Sequence, residues 1–188
     1  MKIAIYGERK VGITSIMKTF GAMLSNPYEE FSVGAKFWIK EIFVENRTIK
    51  LQLWDVTHEA QFRAVHSVYA LGSLGGLFVY DITQPQTFEK LKPQVQEFWK
   101  NNGKGIIPVV IVGNKIDLRD QTPNSVKREK SIQFCQELSE QTISKGFHVP
   151  FIETSAKTGE NIREPFVFLA RIYLKMVAEQ ELLAKNKK

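Results

Sequence analysis

Two short polar segments, each placed after an apolar run, have the residues needed to read the edge of a purine base. Asn114-Lys115-Ile116-Asp117 follows Val109–Gly113, and Ser155-Ala156-Lys157 follows Pro150-Phe151-Ile152. A carboxylate such as that of Asp117 accepts two hydrogen bonds from a base edge with two adjacent N–H donors, which guanine has and adenine lacks. The pair of segments therefore predicts a guanine site. The alternative for the first segment is an ordinary strand-to-helix turn.

A segment near the N-terminus has the form of a phosphate-binding loop. Gly7–Thr14 follows a predicted strand and opens a predicted helix, and it matches G-x-x-x-x-G-K-[ST] at both glycines and at Thr14. The glycines allow the backbone to wrap a diphosphate, while the loop amides and the helix N-terminus supply positive potential. Ile13 occupies the lysine position, so the ammonium that would bridge the β- and γ-phosphates is missing. We expect phosphate binding to be weakened but not abolished.

Two basic residues inside this loop are candidates to replace the missing charge. The side chains of Arg9 and Lys10 could fold back to the phosphates, or they could reach into solvent or toward a partner. The residues assigned to the phosphates are Gly7, Arg9, Lys10, Val11, Gly12, Ile13, Thr14 and Ser15.

Length and composition predict one compact domain. The chain has 188 residues, of which 43% are hydrophobic and 24% charged, a balance that allows a proper core. We assign residues 1–184 to this domain and 185–188 to a basic tail. The single cysteine, Cys135, excludes an intramolecular disulfide and is interpreted as a small buried residue of a helix.

The distribution of charge argues against nucleic acid as a ligand. The formal net charge is +6, but the lysines are scattered and only the end, Lys185–Lys188, is locally basic. No apolar stretch approaches the roughly twenty residues that a membrane span needs, and the N-terminus does not resemble a signal peptide. We therefore expect a cytoplasmic protein.

Apolar runs alternate with amphipathic stretches, which predicts an α/β fold with a mainly parallel sheet and helices on both faces. The predicted strands are Lys2–Tyr6, Phe37–Val44, Lys50–Trp54, Leu77–Tyr80, Val109–Val112 and Phe151–Glu153. The predicted helices are Gly12–Leu24, Ala60–Leu71, Thr87–Asn101, Lys127–Lys145 and Asn161–Ala184. The short link between the second and third strands indicates a hairpin, hence one antiparallel edge strand. Ligands of such sheets bind at the carboxyl ends of the strands, where Gly7, Asp55, Asn114 and Ser155 begin the polar segments.

The order of these motifs resembles that of the Ras superfamily of small GTPases, and within it the Rab branch. The resemblance covers essentially the whole chain. The matching segments are Gly7–Thr14, Ser32–Phe37, Leu53–Asp55, Phe78–Thr83, Asn114–Asp117 and Glu153–Lys157. It implies a P-loop NTPase fold, namely the small GTPase G domain with a six-stranded, mostly parallel sheet, and it implies binding of GTP or GDP with Mg²⁺.

The resemblance also implies roles for individual residues. Thr14 and Ser32 would ligate Mg²⁺ through their hydroxyls, and Asp55 would act behind a metal-bound water. Ser32 stands where the family has threonine, but its hydroxyl can do the same chemistry. The residues implied for the guanine are Asn114, Lys115, Asp117, Ser155, Ala156 and Lys157, with the Ala156 amide meeting the base oxygen. Ser25 replaces the aromatic residue that usually stacks on the base, and Tyr28 is out of register.

The catalytic half departs from the family pattern. The family continues Asp-x-x-Gly-Gln after Asp55, whereas this chain has His58 and Glu59 in the last two places. Glycine permits a backbone flip that senses the γ-phosphate, and His58 restricts it. An ionised Glu59 only accepts hydrogen bonds and adds negative charge, although it could hold water as a general base. Arg9 adds bulk beside the γ-phosphate, so hydrolysis is expected to be slow or lost, with His58 as a less favoured base.

Two functions follow from the resemblance. The first is a guanine-nucleotide switch that meets effectors and regulators through Tyr28–Phe37 and Val56–Leu71. The second is a pseudo-GTPase, an interaction module without appreciable nucleotide binding, and an ATPase is disfavoured by Asp117. The pseudo-GTPase would use a fixed surface of Phe37, Trp54, Phe62 and Tyr69. The C-terminal residues include no cysteine for prenylation, so either a lipidated end has been removed from this sequence or membrane association is absent or indirect. We also expect a monomer.

Overall fold

A central sheet of seven strands organises the molecule. The computed structural model describes residues 1–23, 28–32, 35–57 and 68–185. The strands are β1 (Lys2–Gly7), β2 (Tyr28–Ser32), β3 (Ala35–Val44), β4 (Arg47–Thr57), β5 (Gly75–Asp81), β6 (Val109–Asn114) and β7 (Phe151–Thr154). They lie in the order β2-β3-β4-β1-β5-β6-β7. Pairing is parallel from β4 through β7, whereas β3 runs antiparallel to both β2 and β4.

Five α-helices are described beside this sheet. They are α1 (Ile13–Ala22), α2 (Pro85–Glu89), α3 (Leu91–Asn101), α4 (Arg128–Thr142) and α5 (Glu164–Lys185). Two short 3₁₀ helices span Ile116–Gln121 and Ile143–Lys145. No helix in the described ranges is both long enough and apolar enough to cross a bilayer.

The first strand shows how the sheet divides the core into two halves. Ile3 and Ile5 belong to a buried cluster that includes apolar residues of α1 and α5, whereas Ala4 and Tyr6 belong to a second cluster with residues of α3 and α4. In the first half, Phe20 of α1 stacks on Phe166 of α5 with ring centroids 4.0 Å apart. Successive residues of a strand face opposite sides, so helices cover both faces of the sheet.

The structure confirms the predicted fold class. All six predicted strands are present, and the antiparallel hairpin of β3 and β4 lies where the sequence places it. A seventh strand, β2, extends the sheet beyond that hairpin. The sheet therefore has seven strands and not the predicted six, and the antiparallel strand β3 lies inside the sheet and not at its edge. The predicted helix Ala60–Leu71 lies largely outside the described residues. In the part of it that is described, residues 68–70 are helical.

The predicted helix Thr87–Asn101 is two helices, α2 and α3, joined at Lys90. Pro93 explains the break, because proline has no N–H to donate to the carbonyl of Glu89 in a continuous helix. In the observed arrangement Pro93 lies in the first turn of α3, where the missing N–H has no intrahelical partner to lose.

Candidate functional site

Two adjoining cavities form a cleft at the carboxyl ends of the parallel strands. The first, which we call the base cavity, has a volume of about 340 Å³ and is lined by Gly12, Ser15, Asn114, Lys115, Asp117, Leu118, Ala156 and Lys157. The second, the phosphate cavity, has about 310 Å³ and is lined by Glu8, Lys10, Gly12, Ile13, Thr14, Ser15, Asp55 and Lys115. Gly12, Ser15 and Lys115 line both. The fold thus brings the motifs of the sequence to one continuous site.

Asn114 joins the loop Gly7–Thr14 to the two base motifs. Its side chain is buried, and its Nδ2 donates to the carbonyl oxygen of Val11 at 2.8 Å. Its Oδ1 accepts from the Ala156 amide at 3.1 Å and from Thr154 Oγ1 at 3.2 Å. One side chain therefore connects three segments that are far apart in sequence. The Ala156 amide, assigned by resemblance to the base oxygen, is engaged with Asn114 in this structure.

The two glycines of the loop are required by close approaches. Gly12 has φ 101°, a conformation that costs other residues energy, and a Cβ there would lie 2.3 Å from Asn114 Nδ2. At Gly7 a Cβ would lie 2.5 Å from the carbonyl oxygen of Val79 in β5. Each glycine permits the loop to pack against a neighbouring element, and this packing gives the loop its shape.

Asp117 is held in place by groups from β7 and the turn after it. Its Oδ1 accepts from Ser155 Oγ at 2.6 Å, and its Oδ2 lies 4.0 Å from the exposed ammonium of Lys157. Ser155 is fully buried and its Oγ also accepts from the Thr158 amide, so the hydroxyl is oriented from both sides. The 3₁₀ helix that carries Asp117 is anchored to β7 by an ion pair between Arg119 and Glu153. The carboxylate is thereby fixed at the wall of the base cavity.

Lys115 lies between the two cavities and is paired with a buried carboxylate. Its Nζ is 2.5 Å from Asp81 Oδ2, and Asp81 is 1% exposed at the end of β5. The other carboxylate oxygen of Asp81 accepts from the amide and the hydroxyl of Thr83. Lys115 itself has a positive φ of 71°, which directs the chain from β6 into the 3₁₀ helix. This ion pair holds the side chain of Lys115, a residue that lines both cavities.

The phosphate cavity differs in charge from what its loop would suggest. Ile13 is 5% exposed and belongs to the apolar cluster of α1 and β1, so an alkyl side chain occupies this wall. Lys10 lines the cavity, whereas Arg9 is exposed and is not among the lining residues. Glu8 also lines it, and Gln94 of α3 donates to the Glu8 carboxylate at 3.0 Å. The cations that line this cavity are therefore Lys10 and Lys115, and their charge is balanced by the carboxylates of Glu8 and Asp55, which also line it.

The implied metal ligands are partly described. Thr14 and Asp55 line the same phosphate cavity, and Asp55 is buried at 2% exposure. A hydroxyl and a carboxylate are oxygen donors of the kind that Mg²⁺ prefers, so these two residues fit that ion. The side chain of Ser32 lies outside what the structure describes, as do Ser25, His58 and Glu59.

Three residues contribute to this site in ways that sequence reasoning did not identify. Asp81 pairs with Lys115, Thr154 donates to Asn114, and Gln94 holds Glu8. Asp81 and Thr154 lie inside the segments Phe78–Thr83 and Glu153–Lys157 that carry the resemblance, so a signal for them existed. Gln94 lies in a helix 86 residues from Glu8, and nothing in the sequence pattern points to the pair.

Comparison with known proteins decides the family. The family model described as "Ras family" matches residues 2–175, which is nearly the whole chain. This chain belongs to the Ras family. Several similar proteins have Rab in their names. The chain is 33% identical to "Ras-related protein RABG3f" of Arabidopsis thaliana, an alignment that covers 97% of the chain and 86% of the relative.

Two other relatives are similar over comparable lengths. The chain is 30% identical to "Ypt/Rab-type GTPase ypt7" of Schizosaccharomyces pombe, covering 98% of the chain and 87% of the relative. It is also 30% identical to "Ras-related protein Rab7" of Drosophila melanogaster, covering 97% and 84%. These matches and the sheet topology confirm the chain as a Rab-like member of the Ras family.

Proposed function

We propose that this protein binds guanine nucleotide with Mg²⁺ and acts as a nucleotide-dependent switch whose GTP hydrolysis is slow or absent. The observation that carries the proposal is the Asp117 carboxylate, held by Ser155 at the wall of a cavity that continues into the phosphate loop. A carboxylate fixed in this way accepts from the two N–H donors of guanine and rejects adenine, which would leave it unpaired.

The remaining residues of the base cavity support recognition. Asn114 Nδ2 carries a second hydrogen besides the one donated to Val11, and this hydrogen can meet a base nitrogen. The alkyl stem of Lys115, fixed by Asp81, offers an apolar surface to the face of the base. Contact of the Ala156 amide with a base oxygen would share or replace its present bond to Asn114.

On the phosphate side, the backbone amides of Gly7–Thr14 and the N-terminus of α1 would bind the phosphate oxygens. Thr14 and Ser32 would hold Mg²⁺ through their hydroxyls, and Asp55 would contact the ion through a water; when bound, the ion would supply positive charge that neutralises the phosphates. The absence of a lysine at position 13 removes a charge-assisted hydrogen bond worth about 1.5–3 kcal/mol, or roughly tenfold to 150-fold in affinity. We therefore propose binding that is weaker than the loop pattern alone would give.

The proposal of slow hydrolysis depends on residue types in the segment after Asp55. Glu59 stands where the family has the glutamine that orients the attacking water, and an ionised carboxylate cannot donate to that water. His58 stands where the family has glycine. Regulators and effectors would meet the segments Tyr28–Phe37 and Val56–Leu71, and the protein would act as a cytoplasmic monomer.

A pseudo-GTPase is the second candidate, and one observation favours it. Trp54 and Tyr69 are half-buried neighbours with ring centroids 5.6 Å apart, so two of the four aromatic residues assigned to a fixed interaction surface do lie together. Together with the alkyl wall at Ile13, this pair is compatible with a protein that binds partners without a nucleotide.

The bound small molecule separates the two functions. The protein is purified without added nucleotide, denatured by heat, and the supernatant is chromatographed. We expect GDP or GTP at close to one per chain, and an Asp117→Ala variant should release little because it lacks the carboxylate that reads guanine. An empty supernatant, together with an unchanged melting temperature in millimolar GTP and Mg²⁺, would refute the switch and support the pseudo-GTPase.

A further inference from the structure

A groove lies at the end of the sheet opposite the nucleotide cleft. Two adjoining cavities of about 690 and 340 Å³ form it between α5 and the loops that precede β5, β6 and β7. Lys145 and Met176 line both cavities, so the groove is continuous. The nucleotide cleft lies where the parallel strands end, and this groove, which we call the α5 groove, lies where three of them begin.

The floor of the α5 groove is apolar. On α5, Phe168, Ile172 and Met176 follow one another at intervals of four residues, and Tyr173 and Val177 form a second row beside them. Residues spaced in this way share one face of a helix, and such a face ordinarily packs against another element. Here Met176 is 39% exposed and its neighbours in these rows are half-buried. The described part of the chain leaves this face open.

The rim of the α5 groove is basic. Lys104, Lys145 and Lys175 line it and are all exposed. Glu179 is the one carboxylate among the lining residues. Its Oε1 lies 4.0 Å from Lys175 Nζ, so it offsets the charge of that lysine. The rim thus presents a net positive charge around an apolar floor, which complements a ligand that is apolar on one side and acidic at its edges.

We propose that the α5 groove docks an amphipathic helix of a partner protein, with apolar residues at i, i+3, i+4 and i+7 and with Asp or Glu on its flanks. A helix fits because the row from Phe168 to Met176 spans about 12 Å, or two helical turns, over which a second helix can pack alongside α5. The groove is remote from the nucleotide cleft, so docking does not require the proposed nucleotide binding. It gives this protein an attachment point separate from the segments that would respond to nucleotide.

The chemistry of the occupant can be read from unbiased peptide selection. A phage library of random 16-residue peptides is selected on the full chain and counter-selected on a Met176→Asp variant, which places a charge on an exposed residue of the floor. We expect the enriched peptides to show helical apolar spacing with acidic flanks. Enrichment of basic peptides, of peptides without that spacing, or of peptides that bind the variant equally would overturn the proposal.

An enriched peptide then allows the charges to be tested by fluorescence anisotropy. Lys104→Glu combined with Lys145→Glu should weaken binding at least tenfold, whereas two equivalent reversals at Lys18 and Lys127, which do not line the groove, should change it less than twofold. Raising NaCl from 50 to 500 mM should weaken the wild type and not the rim variant. Equal effects of both pairs would contradict the assignment. The protein is also sedimented with phosphatidylserine vesicles. If no peptide binds and sedimentation depends on the rim lysines, the helix proposal is wrong and the ligand of the groove is an anionic membrane surface.

Discussion

Replacement of Ile13 by lysine should lower the stability of the empty protein and tighten its hold on nucleotide. Ile13 is 5% exposed and packs in the apolar cluster that includes Val11 and Ile16. Full burial of an isoleucine side chain stabilises a protein by about 1.5–3 kcal/mol. A lysine retains part of this through its alkyl stem, so we expect the Ile13→Lys variant to lose about 1–2 kcal/mol of unfolding free energy without ligand.

The gain of the same variant lies at the phosphates. Ile13 lines the phosphate cavity, so an ammonium extending from this position reaches the space that the β- and γ-phosphates would occupy. A charge-assisted hydrogen bond contributes about 1.5–3 kcal/mol, which corresponds to roughly tenfold to 150-fold tighter binding. Ile13→Met is the matched control, because it supplies an unbranched stem without charge. It should cost less than about 1.5 kcal/mol of stability and leave affinity unchanged.

Two measurements test this reasoning. Urea unfolding of the nucleotide-free variants gives the stability change, and isothermal titration with GDP and with GTP, each with Mg²⁺, gives the affinity change. If the Lys and Met variants bind GTP equally, then the position does not reach the phosphates. In that case Lys10, which lines the same cavity, would hold the charge, and Lys10→Ala in the wild-type chain should lower affinity.

Three further results are expected from the site and the core. Asp117→Asn should weaken GDP binding by about a hundredfold and favour xanthosine diphosphate in competition. The asparagine NH₂ group would face an N–H donor of guanine, whereas xanthine has a carbonyl oxygen at that place, which accepts from the NH₂ group. Asp81→Asn removes the partner of Lys115 and places two donors together, so urea unfolding should show a loss of about 2–3 kcal/mol. Burial raises the pKa of Cys135 to about 12 and shifts the pKa of Tyr80 upward. In this pH range the folded chain therefore keeps protons on these two side chains that the unfolded chain releases. The free energy of unfolding should be at its full value below about pH 8 and should fall between about pH 9 and 12. The slope is at most about 1.4 kcal/mol per pH unit for each of the two groups. A Cys135→Ala variant should show a shallower fall at pH 9–10, and an equal slope would contradict the assignment.

Two of the strands that were predictable from sequence are completely buried. β5 and β6 consist of apolar runs that are buried on both faces, so their hydrophobicity reveals them. β2 could not be recognised in the same way, because Tyr28–Ser32 contains two glutamates in five residues and pairs with β3 alone at the edge of the sheet. Its backbone pairing, rather than its own composition, makes it a strand.

The members of the site were more predictable than their connections. The motifs assign Asp117 to the base and Thr14 to the metal, and the fold brings both residues to one cleft. The bonds that organise this cleft join residues far apart in the chain, such as Asn114 to Val11 across 103 positions, and no periodicity encodes them. The environment of Ile13 was equally hidden, since the sequence shows the loss of a cation but not the apolar cluster that receives the side chain.

The tether between Asn114 and the loop has a consequence for the entropy of binding. Asn114 Nδ2 donates to the Val11 carbonyl and packs closely against Gly12, so contacts within the folded protein itself order the backbone of this loop. An incoming diphosphate then need not immobilise that segment, and preorganised receptors keep more of their contact energy as affinity. Backbone amides that are already fixed in position can thus offset part of the affinity that is lost with the lysine at position 13. This would allow a chain with an altered loop still to bind a diphosphate.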